Sequence, residues 1–171
     1  METRKKITTS LEICEYLTEN NIAFQQYFHP PIFTCEERHT LNMDLPEGAD
    51  TKNLFLKDTL GQFYLATTLC QKRINLKEFA KQVRVKKFSF GSADELLEYL
   101  NVTAGSVTIL ALVNCFDKKI QFILDTDVLN YSHAHCHPMI NSETLWIDQQ
   151  NLKKFLDSCN ILPLQQKFPA L

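Results

Sequence analysis

Thr51 to Asp58 reads Thr-Lys-Asn-Leu-Phe-Leu-Lys-Asp, and the turn Thr59-Leu60-Gly61 leads from it into a second apolar run, Gln62 to Thr68. This strand-turn-strand pattern constrains the chain most, because alternate side chains of a strand share a face. Lys52 falls in line with Leu54 and Leu56, and Asn53 with Phe55 and Lys57. A lysine on an apolar strand face has two physical readings. Its stem can lie along apolar neighbours while the ammonium reaches water at the strand's end. Alternatively, a partly dehydrated ammonium can point into a pocket and hold a phosphate or a carbonyl oxygen. Periodicity does not choose between them.

At 171 residues the chain is most simply one domain, 1–171, with loose ends at 1–9 and 166–171, and is long enough to bury a sizeable core. It contains no apolar run long enough to span a bilayer, and the polar start, Met1 to Ser10, does not resemble a secretory signal. The expectation is therefore a cytoplasmic protein without a membrane partner. Cys14, Cys35, Cys70, Cys115, Cys136 and Cys159 are spread at long intervals without a C-x-x-C pair, which predicts reduced thiols. A net charge of -2 argues against a protein that coats nucleic acid through bulk charge. The clusters Arg4-Lys5-Lys6, Lys72-Arg73, Lys86-Lys87, Lys118-Lys119 and Lys153-Lys154, with Lys81 and Arg84, are either solvated surface or a local track for a phosphate backbone.

Along the chain, Thr9 with Glu12 forms a capping-box pattern that predicts a helix to about Asn20. Ile22 to Phe28 reads as a strand, broken by His29-Pro30-Pro31, and about Cys35 to Met43 as a short polar helix. Asn75 with Glu78 opens a helix, Lys87 to Phe90 is a short strand, and Ser92 with Glu95 caps a helix through Leu100. The apolar runs Ser106 to Asn114 and Ile120 to Asp125 read as a core hairpin. His133 to Asn141 reads as irregular, Thr144 to Ile147 as a strand, and Asp148 as the cap of a last helix. Hairpins interleaved with helices predict a mixed α/β (α+β) domain around a mixed sheet.

His133, His135 and His137 alternate as ligands on one strand face could, but alternate positions lie about 7 Å apart, which strains a common metal centre. Cys136 lies between two of these histidines. Sequence neighbours on a strand point to opposite faces, which disfavours a thiol-imidazole pair there. The four glycines make neither Gly-x-Gly-x-x-Gly nor a phosphate-loop lysine motif, so nucleoside-triphosphate chemistry has no support.

Four stretches in order, over roughly residues 10 to 165, resemble the prolyl-tRNA editing proteins, free-standing relatives of the editing insertion in bacterial prolyl-tRNA synthetase. His29-Pro30-Pro31-Ile32-Phe33-Thr34 resembles that family's His-Pro-Pro-Val-Phe-Thr, and Thr51 to Asp58 resembles its central strand. Val102-Thr103-Ala104-Gly105-Ser106-Val107-Thr108 resembles its glycine loop, and His137-Pro138-Met139-Ile140-Asn141 its His-Pro segment. The loop departs from the family's Gly-x-x-x-Pro pattern at Ile109, and Ala111 stands where a glycine often follows.

The resemblance implies a mixed sheet curled toward a barrel, with helices around it. It further implies hydrolysis of wrongly charged tRNA(Pro) without a metal or other cofactor. The branch it most resembles removes alanine. A cysteine-removing deacylase and a non-catalytic module that binds tRNA or the synthetase are the alternatives. Carried over by motif, Lys52 is the functional lysine, Asn53 its neighbour, Gly105 with Ser106 the loop at the terminal adenosine, and His137 the pocket-wall histidine. Ile32, Phe33, Thr34 and Met139 are candidate walls of a sieve that refuses the prolyl ring. The implied partners are the acceptor end of mischarged tRNA(Pro) and prolyl-tRNA synthetase.

Overall fold

The computed structural model describes residues 5–41, 43–116 and 119–171. Arg4 and Lys118, from two of the basic clusters, lie outside the described residues, as does the start of the expected loose N-terminus. Among the described residues, five α-helices and eight strands follow the order α1 (Ser10–Glu19), β1 (Gln25–Phe28), α2 (Cys35–Thr40), β2 (Ala49–Asp58), β3 (Phe63–Leu69), α3 (Leu76–Gln82), β4 (Phe88–Phe90), α4 (Ala93–Leu100), β5 (Ile120–Asp125), β6 (His133–Cys136), β7 (Glu143–Asp148), α5 (Gln149–Ser158) and β8 (Leu164–Gln166). The strands form one mixed sheet in the order β1-β7-β6-β2-β3-β5-β8, with β4 also paired to β2.

β2 organises the sheet because its ten residues are long enough to serve three neighbours. It is antiparallel to β3 from Thr51↔Leu69 to Lys57↔Phe63. Its start lies parallel to β6 (Ala49↔Ala134, Asp50↔His135), and its end antiparallel to β4. The alternation read from the sequence divides the core in two. Phe55, Phe63, Leu65, Phe122 and Leu124 face the larger cluster, which is closed by Ile13 and Leu17 of α1, Leu96 and Leu100 of α4, and Leu152, Phe155 and Leu156 of α5. Leu56, Tyr64, Ala66 and Ile123 face the smaller cluster with Phe79 and Ala80 of α3, Phe88 and Phe168.

The helix starts follow their local chemistry. Thr9 and Ser92 each complete a reciprocal capping box, with Glu12 and Glu95, and the Asn75 and Asp148 side chains accept from the third helical residue. The expected core hairpin is not formed. Ile109–Asn114 is a fully buried 3-10 helix, begun by the Thr108 side chain accepting from the Leu110 amide, and β5 lies parallel to both β3 and β8. A continuous apolar run carries no period, so a buried strand and a buried helical turn look alike in sequence. Residues 133–136, expected to be irregular, form β6 between β2 and β7.

Ile7 and the segment after α5 are hydrogen-bonded to the body. Ile7 exchanges bonds with the Asn114 side chain, its amide donating at 2.8 Å and its carbonyl accepting at 2.9 Å. Leu164–Gln166 adds strand β8, the Phe168 amide donates to Asp125, and Ala170 bridges to Ile74. Phe168, in this last segment, supplies buried apolar area to the smaller cluster.

Gly91 ends β4 where the chain passes over the ring of Phe55, and an added Cβ would meet that ring at 2.3 Å. Phe55 is stacked on Phe63 at 5.1 Å and has little room to yield. Gly91→Ala is expected to destabilise the fold by about 1–3 kcal/mol through overpacking. Chemical denaturation of the two proteins measures the difference.

Candidate functional site

Where β2 leaves β6 to pair with β3, a cavity of about 250 Å³ opens beside Thr51, Lys52 and Asn53. Four other segments complete it: Ile32 to Cys35 with Arg38, Cys70, Gly105 with Val107, and His135 to His137 with Thr144. Backbone bonds set the wall after the double proline. Ile32 and Asn141 exchange bonds, the Ile32 amide donating to the Asn141 carbonyl and the Asn141 side chain donating to the Ile32 carbonyl, both at 3.0 Å. Thr34 then caps α2, and Glu37 reaches back to the Phe33 amide at 2.6 Å.

Lys52 is half-buried on the cavity wall, on the same strand face as buried Leu56. Among the described residues it pairs with no carboxylate. Burial, and then the charge of Arg73, pull its ammonium below the ordinary lysine range. Such a cation lacks a counter-ion in its resting site and is suited to an anionic or strongly dipolar ligand oxygen.

Asn53 acts as a strut. Its side-chain carbonyl accepts from the cross-strand Thr67 hydroxyl at 2.6 Å, and its amide donates to the Val107 carbonyl at 3.1 Å, which fastens the glycine loop to β2. Gly105 has φ +89°, and a Cβ there would lie 3.2 Å from the Phe33 ring, so a turn and a close approach both call for glycine. Ile109, in place of the loop proline, is the first residue of the 3-10 helix. A helix's first position has no internal use for its N–H, so proline and isoleucine can both begin the turn.

His137 directs Nδ1 to the Glu143 carbonyl at 2.9 Å, which makes Nδ1 the donor. Burial is the largest influence lowering its pKa below the usual histidine value; His29 and Arg38 reinforce it, against the bond to Glu143. The neutral ring keeps a lone pair on Nε2. Nε2 has no hydrogen-bond partner among the described residues, and the residue lines the cavity.

The sequence reading did not identify the neighbouring charged group. Asp50 accepts from His135 Nδ1 at 2.7 Å and pairs with Arg38 at 3.2 Å, while His135 Nε2 faces the Pro46 carbonyl at 3.0 Å. Burial alone would raise the Asp50 carboxyl, but the His135 bond and the Arg38 charge outweigh it and hold the group below its ordinary value. Asp50, Arg38 and His135 come from β2, α2 and β6, and no local motif marks that meeting.

The structure thus brings Lys52, Asn53, Gly105, His137, Ile32, Phe33 and Thr34 together on one cavity. It places neither Ser106 nor Met139 on that wall. Ser106 is buried, with its amide bonded to the Thr103 carbonyl, and Met139 packs in the larger core. The three alternating histidines do not converge: His133 stacks on Trp146 at 3.5 Å, His135 serves Asp50, and His137 serves Glu143. Among the described residues no group of three or more His, Cys, Asp or Glu is placed to hold a metal ion. Cys136 is fully buried, and burial pushes its thiol up to about 12, leaving it a poor nucleophile. The expectation of reduced thiols fails at one pair, Cys35 and Cys70, which are joined as a disulfide across the cavity wall. Their separation of 35 residues conceals the pairing from any spacing rule.

Residues 29–155 match the family model for the aminoacyl-tRNA editing domain. The chain is 32% identical over 161 residues to the zebrafish (Danio rerio) prolyl-tRNA synthetase associated domain-containing protein 1, covering 92% of this chain and 86% of that protein. It is 31% identical over 143 residues to the prolyl-tRNA editing protein ProX of Acetoanaerobium sticklandii, covering 82% and 85%. A solved structure described as a candidate trans-editing enzyme for prolyl-tRNA synthetase superposes with a TM-score of 0.69 over 95% of this chain and 99% of that one; at 14% identity it speaks for the fold. The motif-bearing strand, the proline-bounded wall and the glycine loop all fall within the matched span, and the chain belongs to the aminoacyl-tRNA editing domain family.

Proposed function

We propose that this protein is a trans-acting deacylase that hydrolyses the ester of mischarged tRNA(Pro), with alanyl-tRNA(Pro) as its substrate. The observation that carries the proposal is the half-buried Lys52 ammonium, which pairs with no carboxylate among the described residues and lines one small cavity with His137 and the Gly105 loop. An aminoacyl ester is already labile, so positioning and charge stabilisation supply much of the required acceleration. Lys52 anchors the phosphate or ribose end, or stabilises oxygen charge as water adds to the carbonyl. His137 Nε2 accepts a hydrogen bond from that water or from the substrate's 2'-hydroxyl, and the loop carbonyls and amides near Gly105 orient the terminal nucleoside. No nucleophilic side chain is required, consistent with the inert Cys136.

A cavity of about 250 Å³ suits a small aminoacyl group, and buried Ile32 forms part of its wall. Selection by size is then a matter of refusing the prolyl ring. Alanyl-, cysteinyl- and prolyl-tRNA(Pro) assayed in parallel test the reading: the wild type is expected to cleave the alanyl ester and spare the prolyl ester. Ile32→Ala, which enlarges the pocket by removing three carbons from its wall, is expected to raise prolyl-ester cleavage by at least the roughly 10–200-fold associated with a single methylene in a hydrophobic pocket. Preferential cysteinyl cleavage would reassign the substrate, and no cleavage of any ester would leave a tRNA-binding module.

A further inference from the structure

We propose that Cys35 and Cys70 form a thiol–disulfide modification site that clasps α2 against the cavity and is opened by a low-molecular-weight thiol of the glutathione class. Cys35 is the first residue of α2, and Cys70 follows β3 directly; both line the cavity. The Cys70 amide donates to the Asp50 carbonyl at 2.7 Å, two residues from Lys52. None of the six residues of α2 is buried, so no apolar anchor holds this helix to the body. Among the described residues, the disulfide and the Arg38–Asp50 ion pair tie it to the sheet. The bond joins α2, which carries Cys35 and Arg38 on the cavity wall, to the end of β3, the strand paired with the stretch of β2 that carries Lys52 (Lys52↔Thr68).

Cys35 is half-buried and Cys70 is 8% exposed, so Cys35 is the more accessible residue of the pair. A thiolate attacks Cys35 Sγ, forming a mixed disulfide and expelling the Cys70 thiolate, which takes a proton. A second thiolate attacks the sulfur of the small thiol in that adduct, releasing Cys35 as a thiol and the reductant as its own disulfide. The protein gains two electrons and two protons, and two small thiols are oxidised. Opening the bond frees α2 to move from the wall that excludes the larger ester. This consequence for selectivity rests on the editing function proposed above; the chemistry of the cysteine pair does not.

The test equilibrates the wild-type protein in glutathione buffers of graded ratio, alkylates free thiols, and maps Cys35 and Cys70 by peptide mass. The same samples are followed by hydrogen exchange and by hydrolysis of alanyl- and prolyl-tRNA(Pro). The two cysteines are expected to become alkylatable together. Exchange at the Arg38 and Leu41 amides, which bond to the Thr34 and Glu37 carbonyls, is expected to quicken at least tenfold on reduction, and the ratio of prolyl to alanyl cleavage to rise. The double variant Cys35→Ser, Cys70→Ser is expected to show the reduced behaviour in every buffer, and Cys35→Ala provides a second case if that variant does not fold. Independent alkylation of the two cysteines, or a cleaved bond with no change in exchange at α2, overturns the proposal. Paired alkylation and faster exchange in a protein that cleaves neither ester would uphold the clasp and reject the deacylase function.

Discussion

Lys52→Ala is expected to lower kcat/KM for alanyl-tRNA(Pro) by about 10²–10³-fold, the loss typical when one charge-stabilising group is removed from a reacting carbonyl. The fold should survive. Lys52 pairs with no carboxylate among the described residues, and its neighbours on the strand face, Leu54 and Leu56, retain their own packing against the smaller core. Deleting the ammonium also relieves the unfavourable burial and the repulsion from Arg73 that lower its pKa, so thermal stability should stay the same or rise slightly. Lys52→Arg should not restore the rate, because a planar fork on a longer side chain cannot place a compact charge at the same point. Deacylation kinetics beside a thermal melt separate loss of chemistry from loss of structure. Full activity in the folded alanine variant would remove Lys52 from the mechanism.

Phe168→Ala is expected to cost about 3–5 kcal/mol, the usual loss for truncating a buried phenylalanine. Phe168 is 2% exposed and its ring lies 4.4 Å from that of Phe79, in a cluster shared with Leu56, Tyr64, Phe88 and Ile123. Its amide is held by Asp125, a fully buried carboxylate that also accepts from Thr68 and Lys72. Losing the ring therefore loosens the end of the chain and the base of β5 together. For a chain of this size the melting temperature should fall by roughly 10 °C. Calorimetry of the two proteins measures it, and an unchanged melt would show that the tail contributes nothing to the smaller core.

The particular residues show why some features were legible in the sequence and others were not. Thr9, Asn75, Ser92 and Asp148 each accept from an amide three positions on, so their helices could be read from nearby letters. The faces of β2 followed from a period of two, and Lys52, Asn53, Gly105 and His137 from motif order. The 3-10 helix at Ile109–Asn114 gave no such signal, because its six residues are buried on every side. Nor did the Asp50–His135–Arg38 group or the Cys35–Cys70 bond, whose members meet only once β2, β3, β6 and α2 are assembled. Ser106 lies between Gly105 and Val107, and Met139 two residues after His137, all three of which line the cavity, and motif order does not resolve which residue of a motif faces inward.

The most direct measurement is the first-order loss of alanine from alanyl-tRNA(Pro) under single-turnover conditions, with the released tRNA recharged to show that only the ester was broken. The account predicts a rate far above spontaneous hydrolysis, release of free alanine and tRNA fully able to accept an amino acid again, while prolyl-tRNA(Pro) decays at its spontaneous rate. An alanyl ester that decays no faster with the protein than without it would contradict the account.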